Sequence, residues 1–226
     1  MVEIVESLKN IITTDFQYFK NWYDFSFNVE KYLPTQELEK VFNVYDKNVF
    51  NILLASEHAQ TDVRRNLLKI LDLKDSVDYD ICARPVKLVI HNKDRLVRAM
   101  NIAGALFHHK EIIKIINKNE LNALIEFIGQ DIYSFIIKRG MILWKMLPDL
   151  KIKTIRMPFI QKITSSGQCI LSNALFGLPD EVQKRFELML GEHFDIPSKC
   201  DEITVNKCLE LIEFSLKKLN NENHTG

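Results

Sequence analysis

The sequence predicts an all-α fold, a bundle of about ten helices packed as two lobes. Three observations carry this reading. Apolar residues recur three and four positions apart along most of the chain. Only 7 Gly and 6 Pro punctuate 226 residues, too few for a turn-rich β-sandwich. Hydrophobic residues make up 46% and charged residues 27%, the composition of a chain that buries a core. The expected organisation is a single helical domain over 1–226, with possible lobes over 1–75 and 84–219 and an acidic loop near 72–80.

The first helical run covers about 2–25 and breaks at Thr13-Thr14-Asp15, where Asp15 is placed to cap a second piece. Phe16, Phe19, Trp22 and Tyr23 then form an aromatic stripe read as core. A helix follows Pro34, another spans about 47–59, and a short one starts at Thr61 with Leu67, Leu68 and Leu71. Asp72, Asp75, Asp78 and Asp80 mark a solvated loop; a calcium loop would need a glycine and a final glutamate that are absent. Pro85 and Asn92 introduce helices, the second carrying Leu96, Val97, Met100, Ala103 and Leu106. After a break at 117–119, two helices of about ten residues stop at Gly129 and Gly140. Residues 149–160 read as an extended connector. A helix over about 164–176 ends at Gly177, Pro179 opens the next, and the last covers about 201–219, with Leu211 and Phe214 outside its main apolar stripe.

Charge excludes some functions and leaves others open. The 30 Lys and Arg balance 30 Asp and Glu, so no bulk attraction to nucleic acid or membrane is expected. Locally, residues 81–163 hold 15 basic and 6 acidic residues between acidic ends. That segregation suits an acidic or phosphate-rich partner, or complementarity within the chain. No apolar run reaches the 18 residues of a membrane span, and Met1 to Glu6 lacks the features of a secretory signal. Cys82, Cys169, Cys200 and Cys208 show no CxxC spacing and read as reduced thiols. His108 and His109 are adjacent, about 100° apart on a helix, so they do not converge on one metal as an i, i+4 pair does. Nucleophile elbows and phosphate-binding glycine loops are absent. No catalytic, cofactor or metal residue is assigned, and no small-molecule substrate is expected. A helical nucleic-acid-binding or regulatory module is the alternative reading, resting on Lys87, Lys93, Arg95 and Arg98 and on Lys151, Lys153 and Arg156; no recognition helix supports it.

Several motifs then fall in a familiar order. Phe27-Asn28 is followed by Tyr32-Leu33-Pro34. Next come Ala103-Gly104-Ala105-Leu106-Phe107-His108, then Ile112-Ile113, Leu121 and Leu124. Ile128-Gly129-Gln130-Asp131-Ile132-Tyr133-Ser134-Phe135 comes after these. Gly167, Leu171, Leu178-Pro179 and Arg185-Phe186-Glu187-Leu188 close the series. Over about 25–190 the chain resembles the SctK family (the YscK, OrgA and MxiK proteins) of bacterial type III secretion systems. The resemblance implies a largely helical, non-enzymatic adaptor of the sorting platform. It implies a location in the cytoplasm at the inner-membrane apparatus, with membrane association only through the ring protein. The implied partners are the cytoplasmic domain of that ring protein, SctD, and the pod protein SctQ. On this reading His108 serves packing.

Candidate partner-binding residues follow from residue type. Trp144, flanked by Met141, Leu143 and Met146, and Met157 and Phe159 beside Pro158 belong to types frequent at interfaces, though the same side chains also suit a core. Lys151, Lys153 and Arg156 are the charged candidates for a complementary face.

Overall fold

The computed structural model describes residues 12–33, 55–74, 80–81, 83–143, 147–152, 157–191, 194 and 196–222, with isolated positions 38, 48, 52 and 53. In chain order its helices are α1 (Phe16–Phe27), α2 (Glu57–Ile70), α3 (Lys93–Phe107), α4 (His109–Ile112), α5 (Lys118–Ile128), α6 (Gln130–Leu143), α7 (Phe159–Ala174), α8 (Asp180–Leu190) and α9 (Glu202–Glu222). Short 3-10 helices span Val29–Lys31 and Val86–Ile90. No strand occurs among the described residues, so the fold is all-α. Most of the helices expected after Pro34 and at 47–59, most of the acidic loop, and Cys82 lie outside the described residues. The chain divides into two compact units: residues 1–93 with 178–193, and residues 94–177 with 194–226.

The first unit is built on α1. Asp15 caps it, its Oδ1 accepting from the Tyr18 N–H at 2.9 Å, a contact worth about 1 kcal/mol in a typical helix. Tyr18, Trp22 and Phe25 lie at i, i+4 and i+7 and are buried. The expected aromatic core stripe is therefore corrected. Only Trp22 of that set is buried, Phe19 is half-buried, Tyr23 is exposed, and Phe16 is 64% exposed. The buried face is rotated toward Tyr18, whose hydroxyl donates to the Ile81 carbonyl. Helix α2 starts at Glu57 rather than Thr61, because the Ser56 hydroxyl caps the Ala59 N–H at 3.4 Å. Its Leu67 and Leu68 join Val29, Leu33, Leu38 and Leu73 in one apolar cluster. Helix α8 packs on α1, with the Phe186 and Phe25 rings 4.9 Å apart. Asp180 and Glu181 set negative charge at its positive end, as the sequence predicts.

Arg185 on α8 is 3% exposed, yet every part of its guanidinium is used. Nε and Nη2 donate to the Ser26 carbonyl at 3.2 and 3.1 Å, and Nη2 also donates to the Lys74 carbonyl at 2.7 Å. Nη1 donates to the Glu181 carbonyl and carboxylate at 2.9 and 3.0 Å. That carboxylate also accepts from the Lys74 N–H at 3.0 Å. A buried charge is tolerated only when its hydrogen bonds are made, and here they tie three chain segments together.

The second unit has α7 packed along α9, and α6 against α4 and α5. Helices α3 and α7 meet backbone to backbone. A Cβ on Gly104 would lie 2.0 Å from the Ile163 carbonyl oxygen, and one on Gly167 would lie 2.2 Å from the Met100 oxygen. Asn117 caps α5 by accepting from the Asn119 and Glu120 N–H groups, and Gly129 ends it at φ 90°. The stop expected at Gly140 does not occur: α6 runs on to Leu143. Gly140 serves close approach instead, since a Cβ there would sit 3.2 Å from the His109 Cβ. Helix α7 begins at Phe159, five residues before the expected start. On α9 Leu211 is buried, and the Phe214 ring lies 5.6 Å from that of Phe135, so both side chains are taken up inside the unit.

Candidate functional site

Two neighbouring histidines have separate roles at the end of α3. The His108 ring is buried between two partners. Its Nδ1 lies 2.7 Å from Glu111 Oε1, and its Nε2 lies 2.8 Å from the Ser166 hydroxyl on α7. Partial burial opposes ionisation of Glu111. The His108 hydrogen bond and charge, with the Lys162 ammonium 3.4 Å away, outweigh it and hold the carboxyl below its ordinary range. An ionised carboxylate only accepts, so His108 donates to it from Nδ1. The serine–imidazole–carboxylate order resembles a nucleophile relay in its distances. Ser166 is 0% exposed in the middle of α7, so a substrate cannot reach it. The relay acts as a strut between α3 and α7. His109 points the other way, donating from Nδ1 to the Leu106 carbonyl at 3.1 Å. Burial pushes its pKa down, and the Lys110 charge adds to this, against the Leu106 hydrogen bond.

The strut sits beside a groove of about 410 Å³. Two segments line it: the turn from α4 into α5, with Lys114, Ile115 and Ile116, and the start of α7, with Met157, Pro158 and Phe159. Glu111 and Lys162, the outer members of the strut, line it as well. Ile116 is 96% exposed and Met157 39% exposed, so apolar surface faces solvent here. Among the described residues no three His, Cys, Asp or Glu side chains converge to hold a metal ion. Cys169, Cys200 and Cys208 are free thiols, and burial raises the pKa of each.

Of the residues singled out from sequence, the structure brings Met157 and Phe159 to this groove. Lys151 is exposed in the connector before α7 and does not line it. Trp144, Lys153 and Arg156 lie outside the described residues. Sequence reasoning missed the opposite lining, Lys114 to Ile116. A signal for it existed: Ile112, Ile113, Ile115 and Ile116 crowd into five residues before the Asn117 cap. A four-residue helix cannot turn all of them inward, and only Ile112 is buried.

A family model described as YOP proteins translocation protein K (YscK) matches residues 21–220. That match takes in every described helix from the second half of α1 to nearly the end of α9. The chain belongs to the YscK family of type III secretion proteins. No curated protein and no solved structure matches it. Membership in the YscK family makes the chain a component of a protein-secretion apparatus, and it agrees with the resemblance drawn from the motifs between Phe27 and Leu188. No helix among the described residues is long and apolar enough to cross a membrane. The YscK-family motifs have identifiable structural uses in this chain. The small residues before His108 include Gly104 at the α3–α7 crossing, and the Arg185-Phe186 pair closes α8 onto α1.

Proposed function

We propose that the chain is a non-enzymatic adaptor of the type III secretion sorting platform, joining the cytoplasmic domain of the inner-membrane ring protein SctD to the pod protein SctQ at the cytosolic face of the apparatus. The family match over residues 21–220 carries this reading. An adaptor needs two faces, and the organisation of the chain is consistent with that. The first unit holds 14 Lys and Arg against 18 Asp and Glu; the second holds 16 against 12. Opposite net charge gives each unit its own long-range preference among partners, and complementary potential governs orientation and on-rate. The polar side-chain relay at His108 ends in a fully buried serine, so it supports a structural reading of that cluster.

The test is co-purification. The full chain is expressed with the cytoplasmic domain of the host's SctD, with its SctQ, and with both, then run on size exclusion at about 150 mM salt, where long-range attraction between exposed charges is largely screened. A binary peak with each protein and a ternary peak with both are expected. Elution of the chain alone in all three runs overturns the reading.

A further inference from the structure

The groove beside Ile116 combines exposed apolar surface with lysines that enter no ion pair among the described residues. Ile116, at 96% exposure, does not stand alone: Met157 is exposed on the other lining segment, and Phe159 is half-buried beside Met157. Scattered exposed apolar side chains are ordinary, whereas a cluster around a concave surface marks a binding site. Two carboxylates line the groove. Glu111 is held by His108 and Lys162, and Glu120 sits in the first turn of α5, against the positive end of the helix. Lys114 lines the groove, and Lys118 follows four residues on, outside the lining; neither enters an ion pair among the described residues. Lys118 is the first residue of α5, where a cation opposes the helix dipole, so its charge does not serve the stability of its own helix.

We propose that this groove takes an acidic amphipathic segment of a partner protein. An apolar side chain of the segment seats between Ile116 and Met157, and Asp or Glu residues within one turn of it meet Lys114 and Lys118. The inference rests on the adaptor reading and deepens it by giving one partner its place on the second unit. Concavity favours a protein segment over a lipid surface. A bilayer is met by a flat or convex apolar face, whereas a groove with apolar residues on both lining segments is filled by an anchoring side chain. Lys114 and Lys118, with no ion pair among the described residues, set the sign of the segment's charge.

The experiment uses the full chain and the two proteins that the adaptor reading joins, each titrated separately at about 150 mM salt. The variants are Ile116→Asp and the double reversal Lys114→Glu with Lys118→Glu. All three residues are exposed, so unchanged thermal melting is the control for folding. Each variant is expected to weaken binding to one and the same protein by roughly tenfold or more, with the other protein bound as before. Wild-type affinity for both proteins in both variants overturns the inference and leaves the adaptor reading intact. A wild-type chain that binds neither protein overturns the adaptor reading, and the inference falls with it. Two further arms identify a different occupant. Binding to phosphatidylglycerol vesicles that the variants lose, or a wild-type dimer that they dissolve, with both proteins still bound, would replace the acidic segment with a lipid surface or a second copy.

Discussion

The α3–α7 crossing and the Arg185 joint hold helices together by opposite means. At Gly104 and Gly167 two backbones touch because side-chain atoms are missing. At Arg185 a long cation fills the space between α8 and the Ser26 and Lys74 carbonyls. The first joint draws on dispersion and on a separation that any added atom disturbs. The second draws on charge-assisted hydrogen bonds, each of which leaves an unsatisfied partner when broken. They therefore fail differently: one to the addition of a methyl group, the other to the removal of a charge.

The largest effect is expected at Arg185. Arg185→Met takes the cation from the Glu181 carboxylate and the guanidinium donors from the Ser26 and Lys74 carbonyls, and urea unfolding followed by circular dichroism is expected to give a loss of about 3–5 kcal/mol. Adding Glu181→Met recovers part of that loss. If the two single losses simply sum to the double, the joint is a set of independent contacts and the contrast with the glycine crossing collapses. Next comes Gly104→Ala. A methyl group placed 2.0 Å from a backbone oxygen forces the helices apart, and a loss of about 2–3 kcal/mol is expected in the same assay. A loss well under about 1 kcal/mol would mean that the crossing yields easily, and the close-approach argument would fail.

The smallest effect concerns pH at His109. Burial lowers its pKa from the usual 6.5, so the unfolded chain takes up a proton as pH falls through that value while the folded ring stays neutral. Its contribution is full well above pH 6.5 and declines as pH falls through that value, so it is larger at pH 7.5 than at pH 5.5, sharpening the contrast by adding a joint that depends on remaining uncharged. Thermal melting at the two pH values should show a smaller drop for His109→Gln than for the wild type. Equal drops would assign the dependence to other groups.

Local chemistry was the legible part of the fold. The Asp15 cap, the break at 117–119, the Gly129 stop and the acidic start of α8 are each set by one or two side chains and their immediate backbone. What was misread depends on distant contacts. Gly140 looks like a stop in isolation, but its lack of a side chain lets the His109 ring lie against α6. Phe16 shares the period of a core stripe, yet α1 is turned so that Tyr18 faces inward in its place. The candidate site divides the same way. Met157 and Phe159 stood out by residue type, whereas Ile116 is notable only because α4 is one turn long and ends at Ile112.

The Arg185 joint also sets an order of events during synthesis. Arg185 lies 159 positions beyond Ser26, and the intervening chain includes all of α3 to α7. At the ribosome's pace of about 5–20 residues per second, the end of α1 waits roughly 8–30 s before Arg185 is made. Throughout that interval Phe25 and Trp22 belong to a core without its last wall. Nascent chains of this length are thus dependent on whatever shields apolar surface near the exit tunnel, and the oldest part of the polypeptide is among the last to reach its native packing.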